Sequence, residues 1–98
     1  MIFIILCQDK PDHLQLRLDT RSEHLGYLEK LNAEGTLKLA GPFLDEDGNP
    51  SGSMVAVEAP DRDAAEAIAK ADPYALVGLF KSVEIRRWNW VLNKPENA

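Results

Sequence analysis

The sequence predicts an α+β fold of the ferredoxin-like βαββαβ type: a four-stranded antiparallel sheet with two helices on one face. Three observations carry that expectation. Strand-like and helix-like segments follow one another in the order strand, helix, strand, strand, helix, strand. The middle two strands are joined by "LDEDGNPSG", dense in Asp, Gly, Asn and Pro, which reads as a hairpin turn. The first strand is apolar on both sides, and the last places Trp88 and Trp90 on one side. Two helices cover only one face of a sheet, and a soluble chain avoids leaving a large apolar patch in water. The expected assembly is therefore a homodimer, sheet against sheet, forming a dimeric α+β barrel.

Each element has its own signal. Residues 1–7, "MIFIILC", are short, Ile-rich and apolar, which favours a strand over a helix. "QDKPD" is a loop, and from Pro11 to Glu34 the spacing predicts a long helix with an irregular start. Leu14, Leu18, Leu25, Leu28 and Leu31 mark its expected inward stripe. Gly35 suits a left-handed stop after "LNAE". "TLKLAGPF" is the second strand, alternating Leu37 and Leu39 with polar neighbours, and "SMVAVEA" is the third. In "PDRDAAEAIAKA", Asp61 is placed to cap a helix of good helix formers. The connector "ADPYALVGLF" follows, anchored by Leu76, Val77, Leu79 and Phe80. "KSVEIRRWNWVL" is the last strand, and "LNKPENA" is a frayed tail.

Ninety-eight residues make one domain, 1–98, with a modest core that oligomerisation would help. A net charge of -5 and the lack of a basic cluster argue against nucleic acid as a partner. The single cysteine, Cys7, excludes an internal disulfide and fits a reducing cytoplasm. The apolar N-terminus has no basic leader and is too short to span a membrane, so no membrane partner is expected.

Two residues stand out chemically. His24 sits beside the apolar stripe of the first helix, and imidazole titrates near neutrality. Its bland reading is a satisfied, partly buried histidine, and its functional reading is a general acid/base. Such a base needs an orienting acceptor. Asp72 lies in an apolar run, where an unpaired charge is costly. Before Pro73 it also reads as a plain turn former. Arg21, Arg86 and Arg87 could hold an anion or be solvated, Ser53 could aim a hydroxyl into a pocket, and Trp88 could wall a flat substrate or fill the dimer face. Cys7 reads as a core residue. His13 reads as exposed. The histidines and nearby aspartates have no recognised metal spacing, and "GNPSGS" does not match a phosphate loop, so neither metal nor cofactor is expected.

The set "HLGYLEKLNAEGTLKLAGPF", "DGNPSGSMVAVEA", "AIAKADPYALVGLF" and "VEIRRWNWV" resembles the YciI-like (YCII-related) family over nearly the whole chain. The resemblance implies a ferredoxin-like dimeric α+β barrel. It also implies an active site built on a histidine of the first helix and an aspartate of the Asp-Pro segment, which fall here on His24 and Asp72. Most members have no assigned reaction, and the suggested roles point to small organic molecules, including dehalogenation-type eliminations of aromatic compounds.

Three functional readings stay open. The first is a small cytoplasmic enzyme that uses His24 and Asp72 for isomerisation, elimination or lyase chemistry on a small organic substrate, aromatic ones included. The second is a non-catalytic binding module in which the pair is a structural hydrogen bond. The third is an interaction domain. Assembly beyond a dimer stays open as well.

Overall fold

Alternation along the first strand decides the layering. In β1 (Ile2–Asp9), Phe3, Ile5 and Cys7 are buried, whereas Ile2, Ile4 and Leu6 are half-buried on the opposite side. The computed structural model describes residues 1–96, and the remaining elements are α1 (Leu14–Ala33), β2 (Leu37–Leu44), β3 (Pro50–Glu58), α2 (Arg62–Ala71), α3 (Pro73–Leu76) and β4 (Phe80–Trp88). All strand pairs are antiparallel, and the sheet order is β2-β3-β1-β4. This is the ferredoxin-like arrangement expected. Of the tail expected to fray, 92–96 are exposed and form neither helix nor strand, while Asn97 and Ala98 lie outside the described residues.

The helices cover one face. Phe3, Ile5 and Cys7 join Val55 and Val57 of β3, Leu28 and Leu31 of α1, and Ala65 and Ala69 of α2 in a single core cluster. Small alanines let α2 approach the sheet closely, and Asp61 caps it by accepting from Ala64 N at 2.8 Å. Gly35, at φ 77°, ends α1 in the left-handed conformation that its lack of a Cβ permits. Gly52 is required for another reason: a Cβ there would collide with the Cys7 backbone carbonyl on the neighbouring strand.

Register places Ile2 opposite Trp88, Leu6 opposite Met54, Leu39 opposite Ala56 and Phe43 opposite Gly52. Residues directly opposite share a face. The side away from the helices thus carries an apolar band in which Leu39, Phe43 and Trp88 are exposed.

Three expectations need correction. The inward stripe of α1 is Arg17, Thr20, His24, Leu28 and Leu31, while Leu14, Leu18 and Leu25 are exposed. The two sets are neighbouring ridges of one helix, and only the lower half of the buried one is apolar. Leu37 and Leu39 do not share a face. A register shift makes Lys38 an extra residue, so Leu37 pairs with Val57 over the core and Leu39 with Ala56 on the open face. In the connector, Leu76 and Val77 are exposed. Leu79, at 0% exposure, is an anchor as expected, and Tyr74, at 1%, is the other.

Candidate active site

The polar half of the α1 stripe meets the carboxyl end of β1. Arg17 is buried, and its guanidinium grips Asp9 with two hydrogen bonds, Nε to Oδ2 at 2.6 Å and Nη2 to Oδ1 at 2.9 Å. Nη2 also donates to Ser53 Oγ at 2.8 Å. Asp9 lies at a bulge, because Gln8 pairs with Ser82 but Asp9 pairs with Phe80, leaving Lys81 as the extra residue of β4. Burial alone would lower the Arg17 pKa, but the hydrogen bond and charge of Asp9 prevail and hold it above its usual value. A planar, always-charged fork suits a desolvated bidentate pair.

Two turns further along α1, His24 Nδ1 lies 2.8 Å from Asp72 Oδ1, both side chains buried. Asp72 joins α2 to α3. Its extended backbone, φ -60° and ψ 128°, is the geometry favoured before proline, and the same Oδ1 accepts from Tyr74 N at 2.9 Å. Turn former and imidazole partner are one atom. Because Oδ1 receives a backbone N–H, it acts as an acceptor, so His24 Nδ1 carries the proton of their bond. Nε2 is then left as the ring's basic nitrogen.

Tyr74 completes the stack. Its ring lies against His24 with centroids 4.0 Å apart and planes 17° from parallel, and Arg17 Cζ sits 4.5 Å from its centroid. Phe80 meets it edge-on at 6.1 Å. Burial pushes the Tyr74 phenol above its ordinary range, against the pull of Arg17 and Arg21. Burial, and then Asp72, push the Cys7 thiol up to about 12, so this thiol is inert near neutrality. Tyr27, also on α1, donates to Ile68 O at 2.7 Å and ties α1 to α2.

A cleft of about 230 Å³ opens beside the stack. His24, Arg17, Arg21, Ser53 and Tyr74 line it, with Leu18, Leu25, Leu28, Pro42 and Pro50 as apolar walls. Of the residues singled out from sequence, His24, Arg21 and Ser53 are thus brought to one cleft, with Asp72 directly behind His24. Trp88 is not. Opposite Ile2, it stands on the face away from the helices, because alternation along β4 turns it outward. His13 opens α1, with Nδ1 2.6 Å from Pro11 O. Among the described residues, no three His, Cys, Asp or Glu groups are placed to hold a metal.

Sequence reasoning missed Arg17, Asp9 and Tyr74. Arg17 had a signal, since it precedes His24 by two turns on the same ridge. Tyr74 stands two positions after Asp72, where a backbone N–H is offered to an aspartate cap. Asp9 depends on a bulge and had none.

The fold and the sequence have counterparts among known proteins. A solved structure of 5-chloro-2-hydroxyhydroquinone dehydrochlorinase from Burkholderia phenoliruptrix, in complex with 2,5-dihydroxybenzoquinone, superposes with a TM-score of 0.82 at 34% identity, covering 91% of this chain and 94% of that one. A NIPSNAP family protein from Agrobacterium tumefaciens matches with a TM-score of 0.56 at 17% identity, covering 97% of this chain and 96% of that one, a likeness of fold alone. In sequence, protein YciI of Escherichia coli is 39% identical over 92 residues, 88% of this chain and 94% of its own. An uncharacterized protein of Haemophilus influenzae is 37% identical, with the same coverage. The description of the YCII-related domain matches residues 1–89, and with these relatives it establishes that the chain belongs to the YCII-related family.

Proposed function

We propose that this chain is a small-molecule enzyme in which His24 moves a proton and Asp72 holds and charge-balances the imidazole. The observation that carries the reading is the bond from His24 to Asp72 beside a cleft of about 230 Å³. The electrostatics support it. Arg17 and Asp9 neutralise one another, so Asp72 is the unbalanced buried charge, and protonating His24 neutralises the set. A base that lowers the buried charge when it works is favoured in the charge-separated state.

The similarity to a dehydrochlorinase favours an elimination. In such a step, Nε2 takes a proton from the substrate. On a chlorinated polyphenol that proton comes from a ring hydroxyl and is delivered to the chlorine-bearing carbon. A second hydroxyl then gives up its proton, its electron pair is drawn into the ring to leave a quinone carbonyl, and chloride departs from the now saturated carbon with its bonding pair. Arg21 and Ser53 bind the substrate's oxygens, and the leucines and prolines hold its flat body. The working unit is a single-domain chain, cytoplasmic, paired through its open sheet face as an α+β barrel homodimer, with Trp88 in the surface that a second subunit covers.

Chloride release from 5-chloro-2-hydroxyhydroquinone and related phenols is the first assay. His24→Ala and Asp72→Asn are expected to lose about 10²–10⁴-fold in kcat. Full turnover by either variant sinks the acid–base reading. Tight binding of the same phenols without turnover by the native chain replaces it with the binding-module reading.

A further inference from the structure

Arg17 is more deeply built into the site than an ion pair that pins a helix to a sheet needs to be. Its edge is spent on Asp9 and Ser53, and its face is spent on Tyr74. Tyr74 in turn lies nearly parallel to His24. Guanidinium, phenol ring and imidazole form one continuous contact chain inside a region where Arg17, Asp9, His24 and Asp72 are all largely shielded from water. We infer that Arg17 is a positioning residue for His24: acting through the Tyr74 ring, its charge sets how readily the imidazole takes up a proton, and Asp9 sets how much of that charge is felt. The inference rests on the reading of His24 as the proton carrier, but its test does not need a substrate.

The physics is direct. A fixed cation near an imidazole disfavours imidazolium, and burial weakens screening by water and salt. Asp72 opposes this by accepting from Nδ1. The other groups around His24 are Arg21 and Tyr27 on α1, Tyr74 on α3, and Cys7 and Asp9 on β1. Of these, Cys7, Tyr27 and Tyr74 are held protonated near neutrality by their raised pKa values. Arg21 is exposed. The fixed buried charges that remain are Arg17, Asp9 and Asp72.

The test is an NMR titration of the His24 ring protons in the native chain, Arg17→Met, Arg17→Lys and Asp9→Asn. Arg17→Met removes the cation, and the midpoint is expected to rise by roughly half a pH unit or more. Arg17→Lys keeps a charge and restores most of the native value. Asp9→Asn keeps the shape but unmasks Arg17, and the midpoint falls. A merely structural Arg17 predicts another pattern, since loosening the site from either end would weaken the His24–Asp72 bond and shift both neutral variants the same way. Opposite signs for Arg17→Met and Asp9→Asn support the inference, and any other pattern overturns it. If Arg17→Met does not fold, Arg17→Gln is titrated in its place, and a midpoint that fails to rise there overturns the inference. Loss of turnover in His24→Ala tests the acid–base reading separately, so the two can fail independently.

Discussion

His24 and Tyr74 face one another almost in parallel, ring centroids 4.0 Å apart, while the backbone nitrogen of Tyr74 and the ring nitrogen of His24 share a single oxygen of Asp72. Aromatic wall, orienting carboxylate and helix start are thus held by three consecutive residues, Asp72 to Tyr74. The consequences can be measured.

Asp72→Ala and Asp72→Asn should separate two roles. Alanine removes the cap of α3, for about 1 kcal/mol, and also strips the buried imidazole of its partner, for about 1–3 kcal/mol. Asparagine keeps an acceptor oxygen for Tyr74 N and should melt within a few degrees of the native chain while losing turnover. Equal melting temperatures for the two variants in a thermal scan would contradict this.

Asp9→Ala strands the Arg17 guanidinium, whose side chain is 4% exposed. Breaking a buried pair from one side costs roughly 3–5 kcal/mol. Urea denaturation should show a lower midpoint with an unchanged slope. A loss below about 1 kcal/mol would mean that the pair is wetter than its geometry implies.

Alkaline pH should act through Cys7 first. Its pKa rises from 9.0 to about 12 on folding, so the folded state holds the proton more tightly. That contribution is intact below pH 9 and is lost as pH rises from 9 towards 12. Tyr27 and Tyr74 are pushed upward from 10.0 and join later. Cys7→Ala should therefore flatten the stability profile between pH 9 and 10 most of all. Native Cys7 should also resist thiol reagents at pH 8 until urea is added.

The open sheet face should be an interface. The native chain is expected to sediment at twice its 10.9 kDa mass, and Met54→Glu, opposite half-buried Leu6, to sediment as a monomer. A native monomer in sedimentation would remove the barrel from the proposal.

What could be read in advance follows from how far each signal travels along the chain. His24 and Asp72 were visible because a titratable group in an apolar setting is unusual wherever its partner lies. Element order was visible because periodicity is local. The faces of β2 were not, since the Lys38 bulge exists only in the pairing with β3. Arg17 was passed over because an arginine on a helix is ordinarily solvated, and only the bulge at Asp9 makes burial tolerable. The leucines of α1 misled for a related reason. Leu18 and Leu25 serve the wall of a cleft, which has the same hydrophobic signature as a core.

The shared oxygen of Asp72 also has a kinetic meaning. α3 is only four residues long and carries the buried Tyr74, so the turn opens only when that side chain leaves its site. Whenever it opens, the amide of Tyr74 begins to exchange with solvent deuterium and the imidazole loses its anchor in the same motion. The lifetime of the poised histidine is therefore the lifetime of that one turn, and the exchange rate of a single backbone proton is its clock.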